Sequence, residues 1–153
     1  KRTSPVAVNQ KLIFGLNVSA IDRGQNTGPQ DENIRILFVE DEDSVRTFAM
    51  RALKKKGYEV IGCNSAENAL EQLEKDTAFN LLITDMVMPG MSGAELAGIV
   101  RRKIPAIKII LASGYSEEIA RRELAGSQDF DFLAKPFSLG DLTKKVFDVL
   151  SRN

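Results

Sequence analysis

Five short apolar runs, each followed by a segment of helical periodicity, constrain this chain more than any other feature. The runs are IRILFV (34–39), YEVIGC (58–63), NLLIT (80–84), AIKIILA (106–112) and FDFLA (130–134), with the length and side-chain types of buried strands. Val45, Phe48, Ala49, Ala52 and Leu53 recur at the spacing of an amphipathic helix, as do Ala66, Ala69, Leu70 and Leu73, and later Leu142, Val146, Val149 and Leu150. Ser65, Ser92, Ser116 and Ser138 stand where helices would begin. Each can accept from an unpaired first-turn amide, and Ser92 with Glu95 has the spacing of a capping box. Such alternation demands a parallel sheet, because each right-handed crossover lays its helix back on the sheet. The expected fold class is α/β, a doubly wound five-stranded parallel sheet with both faces covered.

Residues 1–33 break the pattern. DRGQNTGPQDEN (22–33) has turn and linker composition, so residues 1–33 read as a linker and residues 34–153 as one domain. Within the linker, Val6, Val8, Leu12, Phe14, Leu16 and Val18 fall on even positions, a period compatible with a short strand. Lys1 stands where an initiator methionine would, so a piece of a longer chain is expected.

Composition narrows the chemistry. Lys and Arg number 21, as do Asp and Glu, leaving no bulk field to draw nucleic acid or an anionic membrane. The basic runs Lys54 to Lys56 and Arg101 to Lys103 each close an expected helix, where positive charge complements the dipole. Nucleic acid is therefore not an expected partner. The chain has 0 histidines, which removes His-based zinc sites, histidine bases and Ser-His-Asp triads. Cys63 is the single cysteine; it allows no internal disulfide and suits a reducing compartment. No apolar stretch reaches the roughly 20 residues of a membrane helix, so this domain is expected to make no membrane contact.

In doubly wound folds ligands bind beyond the carboxyl ends of the strands. There the first run ends in Glu40-Asp41, the third in Asp85, the fourth in Ser113 and the fifth in Lys135-Pro136, whereas the second ends in Cys63-Asn64. With strand order 2-1-3-4-5, the four strands bearing these reactive types are contiguous and the second is an edge. Three carboxylates within about 5 Å of one another repel by roughly 3 kcal/mol per pair at an effective dielectric of 20. A cation must compensate. Oxygen ligands without thiolate or imidazole select a hard divalent ion, and Mg²⁺, which keeps several waters and uses few carboxylates, fits better than Ca²⁺.

From about Ile34 to Leu150 the chain resembles a response regulator receiver domain, through VEDE, DMVMPGMSG, LASGY and LAKPF. The resemblance implies a flavodoxin-like, CheY-like sheet with Asp85 as phosphoacceptor. It further implies that Asp41, Asp85 and the backbone carbonyl of Val87 ligate Mg²⁺, with Glu40 acting largely through a metal-bound water. Lys135 takes the place of the family's lysine and Ser113 that of the switch hydroxyl. Phe132 takes that of the switch aromatic, often Tyr in relatives. On phosphorylation, Ser113 is expected to move to the new oxygens and Phe132 to turn inward, altering the face of the fourth helix, fifth strand and fifth helix. Val87 and Tyr115 occupy positions that tune hydrolysis. Val cannot orient water, so a persistent phosphoryl group is expected. Pro136 resembles the family's cis proline.

FVEDEDSVRTFAMRALKKKGYEV, DMVMPGMSGAELA, LASGYSEE and DFLAKPFSLGDL resemble, more narrowly, the receiver of the alphaproteobacterial cell-cycle hybrid histidine kinases. That implies phosphoryl transfer from the phosphohistidine of a histidine kinase domain and relay to a histidine phosphotransferase. It also implies a cytoplasmic location, on a parent that can be anchored in the inner membrane. A stand-alone receiver acting by phosphorylation-dependent binding is the alternative. A phosphohydrolase of the haloacid-dehalogenase type is disfavoured, because Val87 stands where its second Asp would. A non-phosphorylated interaction module is disfavoured because every reactive type is present.

Overall fold

A computed structural model describes residues 33–124 and 129–152; the period-2 run at 6–18 lies outside the described residues. The elements alternate strictly: β1 (Arg35–Val39), α1 (Asp43–Lys55), β2 (Glu59–Cys63), α2 (Ala66–Lys75), β3 (Leu81–Asp85), α3 (Gly93–Lys103), β4 (Lys108–Ser113), α4 (Glu117–Glu123), β5 (Asp131–Ala134) and α5 (Leu139–Leu150). All strand pairs are parallel, in the order β2-β1-β3-β4-β5.

Side-chain alternation along the strands divides the interior in two. Ile36 and Phe38 of β1 face Ala49 and Leu53 of α1 and Leu142, Val146 and Val149 of α5. Leu37 and Val39 face the other way, toward a core shared with Ala66, Ala69 and Leu73 of α2, Leu96, Ala97 and Val100 of α3, and Ala120 of α4. Because both faces are covered, the strands read as continuous apolar runs.

Serine caps fix where α2, α3, α4 and α5 begin. Ser65 accepts from the amide of Asn68, and Ser116 from that of Ile119. Ser92 and Glu95 form a reciprocal capping box, and Ser138 forms another with Asp141. Each cap is worth about 1 kcal/mol. The basic runs do close α1 and α3.

Two expectations need correction. Phe48 was expected on the buried stripe of α1, yet it is 58% exposed. It lies about 100° round the helix from Ala49, on the side away from Met50, which packs against the same core and lies over Gly62 of β2. The fourth strand begins at Lys108 rather than Ala106 because the amide of Ile107 donates to the carbonyl of Ile104, which keeps Ile107 in the turn closing α3.

Candidate functional site

The carboxyl ends of β1, β3, β4 and β5 converge. Glu40 follows β1 directly, its amide donating to the carbonyl of Cys63 at 3.0 Å. Its carboxylate is buried and accepts from the amide of Glu42 at 3.1 Å. Asp85 closes β3, paired in register with Ala112 of β4, and is 9% exposed. Asp41 is exposed beside them, and one carboxylate oxygen from each of Glu40, Asp41 and Asp85 lies within 4.8 Å of the others.

Lys135 enters from β5. Its amide donates to the carbonyl of Ser113 at 2.9 Å, and the Lys135-Pro136 peptide is cis. Its Nζ lies 2.7 Å from Asp85 Oδ2 and 3.6 Å from Glu40 Oε1. Burial alone would lower the Lys135 pKa, but the hydrogen bond and charge of Asp85, joined by Glu40, raise it above the ordinary value. For Glu40 burial dominates and raises the carboxyl above its usual range, aided by Asp85 and Asp41 and opposed by the Glu42 amide and Lys135. A buried carboxyl held against its preference in this way marks a place where more positive charge would be stabilising.

Local backbone contacts set the position of Asp85. Its Oδ1 accepts from the amide of Val87 at 3.3 Å, and its carbonyl accepts from the Thr84 hydroxyl at 3.0 Å. The first residue of α3, Gly93, packs against that same carbonyl so closely that a Cβ there would collide with it. In the Met88-Pro89-Gly90 turn, Gly90 has φ +79°, a conformation glycine adopts without strain, and Met91 donates its amide to Glu67 of α2 at 3.1 Å. Thr84, Gly93 and Glu67 carry no signal in periodicity or charge; Gly93 alone shows a hint, as a glycine directly after a capping serine.

Ser113 is the last residue of β4, buried, its Oγ accepting from the amide of Tyr115 at 2.9 Å. Val87 is 66% exposed and Tyr115 48% exposed, both at the rim. Phe132 of β5 is buried within the core, with the Arg121 guanidinium 4.7 Å from the ring centroid.

The donor set fits Mg²⁺. Three carboxylates supply oxygen only, with neither thiolate nor imidazole beside them, and a hard cation would offset their mutual repulsion and the cost of burying Glu40. No described helix is long and apolar enough to cross a membrane.

Comparison with known proteins agrees with this geometry. The family model for the response regulator receiver domain matches residues 36–147. The chain is 41% identical over 118 residues to the sensor kinase CckA of Brucella abortus, covering 76% of this chain and 12% of the kinase. It is 36% identical over 116 residues to the receiver protein CpdR of the same organism, covering 76% of this chain and 96% of CpdR. Among solved structures, the response regulator TrrA of Thermotoga maritima, in complex with Mg(2+)-BeF, superposes with a TM-score of 0.64 at 34% identity, over 76% of this chain and 99% of TrrA. In fold, in the residues gathered at its strand ends and in sequence, the chain belongs to the response regulator receiver domain family.

Proposed function

We propose that residues 34–153 are a phosphorelay receiver that takes a phosphoryl group onto Asp85 from the phosphohistidine of a histidine kinase and passes it to a histidine phosphotransferase, within a hybrid histidine kinase. The observation that carries this reading is the single ammonium of Lys135, 2.7 Å from Asp85 and 3.6 Å from Glu40, facing a cluster of three carboxylates. The 41% identity to CckA supports the hybrid-kinase context, and the compact unit formed by Ile34–Asn153 supports a domain boundary after Asn33.

In this reading a carboxylate oxygen of Asp85 forms the O–P bond as the P–N bond of the donor imidazole breaks, the electron pair leaving with the imidazole nitrogen. Lys135 neutralises charge on the equatorial oxygens, and the Val87 amide holds the carboxylate from its other side. Asp41 and Asp85, with the Val87 carbonyl, would hold Mg²⁺, Glu40 contributing through water. When bound, that ion supplies further charge stabilisation to the transferring group. Ser113 then meets the new phosphoryl oxygens, Phe132 reads the change against α4, and Val87 and Tyr115 set how readily water reaches phosphorus. The hydrophobic Val87 favours a long-lived phosphoryl group.

The test is labelling. With Mg²⁺ and a small phosphodonor the protein should incorporate one acid-stable, base-labile phosphoryl group, and Asp85→Asn should incorporate none; full labelling of that variant would reject Asp85 as acceptor. Incubation with candidate kinase and phosphotransferase domains then asks which exchanges label with Asp85. A second reading, a stand-alone receiver that signals by binding, draws on the match that covers 96% of CpdR. Absence of label transfer to any phosphotransferase, with phosphorylation-dependent capture of a target, would favour it.

A further inference from the structure

Arg46 is absent from the carboxylate pocket, yet it holds the backbone on which the acidic pair is mounted. Its Nη1 donates to the carbonyl of Glu40 at 2.8 Å, and its Nη2 to Asp43 Oδ1 at 2.7 Å. One face of the guanidinium fork therefore grips the peptide joining Glu40 to Asp41, while the other is braced on the first turn of α1. The Glu40 amide is tied independently to Cys63 of β2, and its carboxylate to the amide of Glu42. With Arg46 in place, both backbone polar groups of Glu40 are spoken for.

The slot for Arg46 is itself built. Gly62 of β2 lies beneath the side chains of α1, where a Cβ would collide with Sδ of Met50 and sit 3.4 Å from Cδ of Arg46. The stem is thus seated against glycine, mostly shielded from solvent, with only 19% of the side chain exposed. An exposed arginine in a surface ion pair is worth little. One with a buried stem and two anchored nitrogens orients what it touches, because the planar fork loses little further freedom on binding.

We propose that Arg46 is a positioning residue for the metal site: by fixing the Glu40 carbonyl it sets the direction in which Glu40 and Asp41 present their carboxylates to a divalent cation. This inference rests on the acidic cluster being a Mg²⁺ site. Two effects of removing Arg46 oppose each other, which makes the idea testable. As a charge near the cluster it repels a cation, so its loss should tighten Mg²⁺ binding; as a positioning group its loss should weaken it.

The experiment is calorimetric titration of Mg²⁺ into the full 153-residue chain, with thermal melts in the absence of metal as the control for folding. Arg46→Met keeps the stem and loses charge and fork; Arg46→Lys keeps the charge and loses the fork. Both are expected to bind Mg²⁺ about 10-fold more weakly than wild type, the effect typical of removing a group that orients a metal ligand. Unchanged or tighter binding by Arg46→Met would overturn the proposal, as would wild-type affinity in Arg46→Lys, which stays informative if the methionine variant does not fold. A wild-type chain that takes no Mg²⁺ would instead reject the metal-site reading on which the proposal stands.

Discussion

Lys135 and Asp85 meet across 50 residues of sequence at 2.7 Å, Nζ to Oδ2, with Glu40 Oε1 3.6 Å from the same nitrogen. One ammonium from the last strand therefore answers two carboxylates from β1 and β3. Taking away the lysine leaves buried Glu40 and nearly buried Asp85 facing each other and Asp41 with only the amides of Glu42 and Val87 to offset their charge.

Lys135→Met is accordingly expected to lower the rate of labelling by a small phosphodonor by about 100-fold, the usual cost of losing one preorganised charge stabiliser. It should also alter the alkaline limb of stability. The Lys135 pKa is raised in the fold, so its contribution is fully present below the unfolded value near 10.5 and disappears as pH climbs through the higher folded value. Melts from pH 9 to 12 should show wild type losing stability that the methionine variant never had. Parallel curves for the two proteins would contradict the assignment.

Glu40 presents the opposite balance. Its carboxyl is raised by burial, so the folded state prefers the protonated form. That preference favours folding below about pH 4.5 and is lost as pH rises through the folded value, leaving a cost at neutral pH. Glu40→Gln, which carries no buried charge, should raise the metal-free melting temperature at pH 7. The same variant should bind Mg²⁺ more weakly. A lower metal-free melting temperature would show that the carboxylate is better compensated than the geometry implies.

Gly93→Ala tests the backbone behind Asp85. A methyl group there meets the Asp85 carbonyl oxygen, and since this is backbone rather than the end of a flexible side chain, α3 or β3 must move. The expected cost is about 1–3 kcal/mol of stability, the range for overpacking a close interior contact. Labelling of Asp85 should slow even under conditions where the variant is fully folded. Gly98, also in α3, has open space where a Cβ would go, so Gly98→Ala should leave both quantities unharmed; chemical denaturation and phosphodonor labelling of the two variants make the comparison.

What the sequence made legible, and what it hid, divides along physical lines. Glu40, Asp41, Asp85 and Lys135 could be brought to one place from the sequence because ionisable residues at the ends of buried strands stand out, and the order of a parallel sheet puts contiguous strand ends together. The starts of α2, α3, α4 and α5 were equally visible through their serines, although the second capping box was not, because Asp141 takes the place usually held by Glu or Gln. Phe48 was misplaced because three- and four-residue spacing marks a stripe without saying which of its flanks meets the sheet. Gly62 and Arg46 were silent, and Gly93 nearly so, for a different reason. Their importance lies in how closely two backbones or a stem and a strand approach, and neither hydropathy nor charge patterning encodes that distance.

Cys63 offers a check on the interior that does not involve phosphate at all. It ends edge strand β2, yet its thiol is buried and packs in the core shared with α2 and α3. Burial pushes its pKa up to about 11, against a small opposing pull from Arg46. Two pKa units above the unperturbed value near 9 correspond to about 100-fold less thiolate at pH 8, and only the thiolate reacts. Alkylation by iodoacetamide at pH 8 should therefore be at least about 100-fold slower in the native chain than in denaturant, with burial slowing it further. The linkage runs with the same sign as for the lysine: the stabilising preference for the thiol is intact below pH 9 and fades as pH rises toward 11. Rapid native alkylation would mean that β2 opens readily from β1, and the tie between the Glu40 amide and the Cys63 carbonyl, which anchors the acidic pair, would open with it.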